Sequence, residues 1–207
     1  NSPEDRRIDP SCTNVMDIYI LTSSYERDFR NWIQDTTSTV IRPSEPTIQE
    51  LTTEFASLND VKSVSDTIVF NSAKYKLIFG NKSINSLQAT FKVVKNPSVN
   101  VSDNDVKTSV VAAINNYFDI ANWDFGETFY FSELSAYLHK TLSPNVVSII
   151  IVPNDSNQSF GSLYQINAEP FEIIASCATV ENVEIISAVT ASQLNLTAAT
   201  LNNQIVI

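Results

Sequence analysis

Glycine, histidine, cysteine and charge are all scarce in this chain of 207 residues, and each scarcity excludes a class of function. The three glycines, Gly80, Gly126 and Gly161, lie far apart. Phosphate-binding loops of the Walker or dinucleotide type need clustered glycines, so that backbone N–H groups can approach the phosphates. Neither type is present. The single histidine, His139, excludes zinc sites built from several histidines.

The two cysteines, Cys12 and Cys177, belong to no Cys-x-x-Cys pattern. This spacing argues against a zinc site and against a disulfide framework, and we interpret both residues as free thiols. No apolar run reaches the ~18 residues that a membrane span needs, and no hydrophobic signal segment is visible. The sequence starts at Asn1 without a methionine, from which we expect a fragment of a longer protein.

The charge pattern bears on the class of partner. The net charge is −10 and the basic residues are scattered, whereas a nucleic-acid surface needs clustered Lys and Arg. Charged residues make up 17% of the chain, against about 25% in average proteins. Serine, threonine and asparagine take their place. A neutral polar surface of this kind suits a protein that meets other proteins over large areas.

Apolar periodicity predicts strands and helices in the first third of the chain. The segment "VMDIYILT" (15–22) is rich in branched and aromatic residues and is typical of a strand. Helical spacing follows in "SSYERDFRNWI", with Ser23 or Ser24 as the N-cap. After a proline-containing loop, Thr47 is expected to cap a second helix that continues through Leu58.

The middle of the chain is predicted to run strand, helix, helix, strand. Leu87–Lys95 alternates as a half-buried strand, and Ser102 is expected to cap a long helix. Ser132 is the predicted N-cap of a second helix that ends before Pro144, and "VVSIIIVP" (146–153) is the predicted buried strand that follows. The expected core positions of the long helix and its C-terminal end are Val110, Ile114, Tyr117 and Phe118.

These elements predict an α+β fold. We expect small mixed sheets with helices packed on one face, in strand–helix–helix–strand units followed by a β-rich C-terminal part. The predicted segments are a first α/β subdomain (1–64), a strand–helix–helix–strand subdomain (65–153) and a β-rich C-terminal segment (154–207).

The stretch "WDFGETFYFSEL" (Trp123–Leu134) is the strongest candidate for chemistry. It contains the carboxylates Asp124, Glu127 and Glu133. A glycosidase-type site needs two carboxylates facing each other at a set separation. Asp124 and Glu127 bracket the turn at Gly126, and the sequence offers no positioned partner for either.

His139 is the other candidate. Metal ligands on the same helix would lie three or four residues away, and those positions hold Ser135, Ala136, Leu142 and Ser143. No Gly-x-Ser-x-Gly segment presents a serine nucleophile. We therefore predict no catalytic, cofactor-binding or metal-binding residue and no cofactor.

A structural interpretation accounts for the same stretch. Gly126 permits a tight turn, Ser132 caps the next helix and Glu133 lies in its first turn, where the helix dipole favours negative charge. The aromatic residues supply apolar area between the helices and the sheet; they are Trp123, Phe125, Phe129 and Phe131.

Several segments, taken in order, resemble the baseplate wedge proteins of contractile-tailed, T-even-like phages, in the broad baseplate J-like family. They are "DRRIDP", "NVMDIYILTSSYERDFRNW", "KSVSDTIVF", "AKYKLIFG", "LQATFKVVK", "YFDIANWDFGETFYFSELSAYL", "LSPNVVSIIIVP" and "NQSFGSLYQI". The likeness covers roughly Asp5 to Ile186 and is to the C-terminal part of a longer protein. Each segment alone is common, and the ordered set is specific.

The resemblance implies a structural protein of the virion that is assembled in the host cytoplasm. Its copies pair with each other and with other wedge proteins in a ring around the tail hub, and it is not an enzyme. Nucleic acid and membrane are not expected partners. For the contact we single out Phe160 and Tyr164, because large aromatic side chains in a polar loop are typical of interface cores.

Two other functions remain open at this point. One is a carbohydrate- or receptor-binding tail module, suggested by aromatic residues on a polar, acidic surface. The other is a hydrolase that uses Asp124, Glu127 or Glu133. The oligomeric state of the chain, together with a ligand screen, discriminates among the three.

Overall fold

The computed structural model describes residues 15–61, 67–154 and 165–186, and it has the predicted α+β fold. The chain divides into two compact units, Asn1–Lys74 and Tyr75–Ile207. This division differs from the three expected segments (1–64, 65–153 and 154–207). The strand Thr67–Ser72 pairs with the strand Val15–Ile20. Two strands after residue 164 pair with strands that begin before residue 96.

The first unit has the order of a strand, two helices and a strand, and its second strand lies beyond the predicted subdomain 1–64. Its two strands, which are parallel, pair from Val15 opposite Thr67 to Ile20 opposite Ser72. The elements are β1 (Val15–Ile20), α1 (Ser23–Gln34), α2 (Ile48–Glu54), a 3-10 turn (Ala56–Val61) and β2 (Thr67–Ser72).

Helix α1 begins one or two residues earlier than its predicted caps imply. Thr22 is the N-cap, in place of Ser23 or Ser24, and its hydroxyl accepts a hydrogen bond from the Tyr25 amide at 3.3 Å. Thr22, Ser23 and Ser24 all carry hydroxyl side chains that can cap a helix. Strand β1 ends at Ile20, and Thr22 is the first of the three and has extended backbone, so it becomes the cap. Tyr25 and Phe29 are buried on the inner face of α1, as their spacing predicts.

Helix α2 is capped by Thr47 as predicted. The Thr47 hydroxyl accepts from the Glu50 amide at 3.3 Å, and the Glu50 carboxylate accepts from the Thr47 amide at 2.8 Å, which is a capping box. The regular helix is shorter than expected. It ends at Glu54, and Leu58 is 43% exposed.

The second unit contains the remaining strands and helices. Short 3-10 turns lie at Asn85–Leu87, Ile120–Asn122 and Val180–Asn182. The strands and helices are β3 (Lys74–Ile78), β4 (Ala89–Lys95), α3 (Asp103–Tyr117), β5 (Thr128–Tyr130), α4 (Phe131–Leu142), β6 (Val146–Pro153), β7 (Gln165–Asn167), β8 (Glu172–Ser176) and β9 (Val183–Ile186).

Among the described residues of this unit, the strands form three small sheets. In the largest, β4 is central and pairs antiparallel with β6 and parallel with β9. Strand β3 pairs with β8, and β5 pairs antiparallel with β7. The mixture of parallel and antiparallel pairs agrees with the predicted small mixed sheets.

Helices α3 and α4 pack on one face of the β6–β4–β9 sheet. Side chains of β4 that point to this face, Phe91 and Val93, are fully buried. Ile114 is 0% exposed, and the predicted core is confirmed except at Tyr117, which is only half-buried. The other buried apolar residues of the two helices are Val106, Val110, Ala113, Leu134, Leu138 and Leu142.

Two predicted details are wrong. Helix α4 begins at Phe131 with Tyr130 as its N-cap, because Phe131 turns into the core, where its ring lies 4.8 Å from that of Phe129. Ser132 is therefore inside the helix and does not cap it. Strand β6 exists as predicted but is not buried throughout: Val147 is 57% and Ile150 50% exposed.

Candidate functional site

An aromatic cluster surrounds the stretch Trp123–Leu134 and fixes its path. The indole N–H of Trp123 donates to the Tyr117 carbonyl oxygen at 2.8 Å, and the Trp123 ring stacks on Phe118 at 5.3 Å between centroids. Phe129 is fully buried against Phe79, Phe118 and Phe131. Three of the four aromatic residues expected in the core are therefore buried. Phe125 is the exception, because its side chain is 41% exposed.

Gly126 makes the tight turn that the sequence predicts. Its φ is +72°, a region in which L side chains are strained. Its amide donates to the Glu172 carbonyl oxygen at 2.9 Å, and a β-carbon at residue 126 would lie 3.2 Å from Cα of Pro170. The turn is thus held against the start of β8, which is a structural role.

The carboxylates of this stretch do not face each other across a cleft. Asp124 is exposed, and its amide donates to the Glu127 carboxylate at 3.0 Å, so Glu127 braces the turn. The charges of Glu127 and Glu133 both act on the hydroxyl of Tyr117. This electrostatic influence links the turn and α4 to the end of α3.

Tyr117 carries the clearest electrostatic effect of the cluster. Burial, the charges of Glu133 and Glu127, and a hydrogen bond to Glu133 raise the pKa of Tyr117 to about 12. Each of these influences favours the protonated hydroxyl. At neutral pH, Tyr117 is therefore a hydrogen-bond donor, not a base or a nucleophile.

His139 lies in the last turn of α4 beside Lys140 and is half-buried. A cation in this position is favoured by the helix dipole. Within residues 15–61, 67–154 and 165–186, no group of three or more His, Cys, Asp or Glu side chains is arranged to hold a metal ion. His139 thus has a local structural explanation.

Cys177 is buried in the core with 2% exposure and forms no disulfide. Its thiol donates to the carbonyl oxygen of Ile78 at 3.4 Å, and burial raises the pKa of the Cys177 thiol. A raised pKa lowers the fraction of reactive thiolate. Cys12 lies outside the described residues, as do the predicted contact residues Phe160 and Tyr164.

Sequence reasoning did not find an acidic recess in the first unit. Its volume is about 470 Å³, and Thr22, Tyr25 and the prolines Pro43 and Pro46 line part of it. The carboxylates in its lining are Asp28, Glu45, Glu50 and Glu54. Three of these carboxylates have local partners: Glu50 serves the cap of α2, Asp28 pairs with Arg27 at 3.1 Å, and Glu45 lies 3.9 Å from Lys74.

Sequence reasoning also missed exposed apolar surface on two strands. In β1, Val15 is 47%, Met16 36% and Tyr19 37% exposed, and β6 exposes Val147 and Ile150. The sequence predicts β1 as a strand and β6 as a buried strand, but such patterns do not reveal which face or edge has a neighbour. No helix within the described residues combines the length and apolar character that crossing a membrane requires.

No family model matches this chain, and no curated protein matches it either.

Proposed function

We propose that this chain is a structural component of a phage tail baseplate that acts by associating with copies of itself and with other wedge proteins in the virion. The ordered resemblance described above motivates the proposal. The scaffolding roles of the Trp123–Leu134 stretch support it, since Gly126, Trp123 and Glu127 all have structural partners. The proposal includes that this chain is not an enzyme and uses no cofactor.

The observation that carries the proposal is the exposure of apolar β1 side chains on one face of the β1–β2 ribbon. Side chains alternate between the two faces of a strand. Phe70 points to the face that carries α2, where it is fully buried with its ring 6.4 Å from that of Phe55. The opposite face therefore presents Val15, Asp17 and Tyr19 of β1.

The β1 residues of this face keep much of their side-chain surface exposed. Val15 is 47% and Tyr19 37% exposed, and between them the carboxylate of Asp17 accepts a hydrogen bond from Asn71 at 2.9 Å. Parallel sheets almost always have both faces covered. Exposed apolar side chains on both sides of a central polar pair are a surface that can meet another protein.

The test is assembly with candidate wedge proteins of contractile-tailed phages. The chain is mixed with each purified candidate, and the mass of the mixture is measured by light scattering. We expect a complex with at least one of them, and weaker binding by the double variant Val15→Ser, Tyr19→Ser. Ile84→Ser is the matched control, because Ile84 is 66% exposed in the second unit.

The proposal fails if the chain forms no complex with any candidate and also does not associate with itself. Affinity for sugars in a ligand screen would favour a carbohydrate-binding tail module. Hydrolytic activity that is lost on Glu127→Gln or Glu133→Gln would favour a hydrolase.

A further inference from the structure

We infer that β6 is the strand through which two copies of this chain pair, antiparallel and about a two-fold axis at Ile150. The inference rests on the proposed function in one respect, namely that the chain associates through protein surface. It adds the element, the register and the symmetry of that association.

The first step is the position of β6 in its sheet. Strand β4 lies on one side of β6, and within the described ranges no strand pairs with its other side. An unpaired edge presents backbone N–H and C=O groups that can bond to another strand. At eight residues, β6 is also the longest strand that the structure describes.

The second step is the absence of the usual protection. Edge strands of natural sheets are commonly short or carry charged residues that discourage pairing. Strand β9, at the opposite edge of the same sheet, has four residues, and one of them is Glu184, which lies 3.6 Å from Lys92. Strand β6 has no charged residue. Two copies of β6 can therefore approach each other without local repulsion, although the whole chain carries a charge of −10.

The third step is the register. A β-bulge at Val147 interrupts pairing with β4, since Val94 faces Ser148 while Lys95 faces Val146. At the other end, Pro153 has no N–H to donate. The regular segment between these two limits is 148–152, which is a typical strand length.

The centre of that segment is Ile150, which is 50% exposed. Antiparallel pairing of two identical segments about a two-fold axis at Ile150 places Ile150 against its own copy and Ser148 against Val152. Directly opposed residues in antiparallel strands have β-carbons ~5 Å apart. Pairing in this register covers the half-exposed isoleucines and joins the two three-stranded sheets into one continuous sheet. The contact is self-complementary, as a two-fold dimer requires.

A charge exchange at Ile150 tests the inference. Two glutamates would meet at the axis in Ile150→Glu, and two lysines in Ile150→Lys. Like charges directly opposed across an interface are strongly unfavourable. We expect each variant to dissociate, with a dissociation constant raised roughly 100-fold or more. An equal mixture of the two variants should form a dimer again, because a glutamate then faces a lysine.

Both variants are compatible with the fold of one copy. Ile150 is half-exposed and lies opposite Lys92 on β4, so a glutamate gains a neighbouring cation. A lysine lies beside Lys92, whose charge Glu184 already balances. Melting temperatures of both variants check that they remain folded. Ile84→Glu is the control, because it makes the same chemical change at a position that is 66% exposed elsewhere in the unit.

The readout is the mass by sedimentation equilibrium against the 23.0 kDa of one chain. Twice this mass for the wild type and Ile84→Glu, one mass for each Ile150 variant, and restoration in the mixture support the inference. A wild type that remains monomeric at its highest soluble concentration overturns the inference. So does a dimer that persists in both Ile150 variants, or a mixture of the two variants that does not form a dimer again. An Ile84→Glu control that dissociates as much as the Ile150 variants also overturns it. In these cases the proposed function is judged separately, by binding to the candidate wedge proteins.

Discussion

Gly80 lies against the backbone of Cys177 so closely that a β-carbon at residue 80 would overlap the Cys177 carbonyl oxygen. The contact joins the end of β3 to the end of β8, where the Cys177 amide also donates to the Ile78 carbonyl oxygen at 3.0 Å. The hydroxyl of Ser83 donates to the Gly80 carbonyl oxygen at 2.7 Å. Because the group in the way is backbone, a rotamer change cannot relieve the overlap.

We therefore expect Gly80→Ala to destabilise the second unit by about 3 kcal/mol, the upper part of the range for overpacked sites. Denaturant unfolding followed by circular dichroism measures the change. Asn81→Ala is the matched control, because Asn81 is the exposed neighbour in the same turn and surface changes are usually within about 0.5 kcal/mol. Equal stability of the two variants would contradict the close approach.

Ile114 tests the packing of α3 on the central sheet. Its side chain is 0% exposed within the main core. Removing a buried isoleucine side chain costs ~2–5 kcal/mol, which is a large part of the ~5–15 kcal/mol stability of a domain. We expect Ile114→Ala to lower the melting temperature by many degrees.

Asn115→Ala, on the exposed face of the same helix, controls for changes in helix propensity. Thermal unfolding of the two variants is compared with that of the wild type. An Ile114→Ala melting temperature equal to that of Asn115→Ala would place Ile114 outside the core.

The elements with strong local signals could be predicted from the sequence. Helix α3 has a polar cap at Ser102, acidic residues in its first turn and apolar residues at helical spacing, and it begins where expected. The alternation of β4 likewise gives its buried face. In both cases the signal lies within the element itself, so no knowledge of distant residues is needed.

Features that depend on distant parts of the chain could not be predicted. The apolar run of β6 has the composition of a buried strand, but its exposure depends on which strands lie beside it. The C-terminal strands belong to the second unit through pairings such as Phe91 with Val183, which no local pattern encodes. The effect of the Glu127 and Glu133 charges on Tyr117 also requires the packing of α3 against α4. Phe79 is buried and has a φ of +77°, a conformation that its residue type does not predict. Contacts of its ring with other buried aromatic rings hold it there.

Asp35 organises the loop that follows α1. Its Oδ1 atom accepts from the Thr37 amide at 2.8 Å and from the Thr37 hydroxyl, and its Oδ2 atom accepts from the Val40 amide at 2.7 Å. These bonds hold the pKa of Asp35 well below its usual range. The carboxylate therefore stays ionised and keeps both acceptors at all but strongly acidic pH.

We expect Asp35→Asn to loosen this loop, because an amide side chain has one acceptor oxygen in place of two. Hydrogen exchange at the Thr37 and Val40 amides is the measurement, and exchange at one or both should rise because one of the two amides loses its acceptor. Asp28→Asn on the exposed side of α1 is the control. Unchanged protection at both amides would mean that the loop is held by other contacts.

The raised pKa of Tyr117 predicts how stability depends on pH. In the unfolded chain the hydroxyl titrates near its ordinary pKa of 10.0, and in the folded chain the pKa is about 12. The folded state therefore binds more protons between these two values, so the free energy of unfolding falls as the pH rises through this window. Below pH 10 the contribution of Tyr117 is fully present.

Two substitutions separate this effect from the titration of the other tyrosines. Tyr117→Phe removes the titrating hydroxyl. Glu133→Gln removes the carboxylate that accepts the Tyr117 hydrogen bond and raises the pKa of Tyr117. Denaturant unfolding at pH 9 to pH 12 should show a shallower loss of stability for both variants than for the wild type. Tyr130→Phe, at a position 41% exposed on β5, should keep the wild-type slope. If Tyr117→Phe and Tyr130→Phe have the same slope, burial and the carboxylates do not hold the proton on Tyr117, and the packing of α3 against α4 at this point differs from the one described.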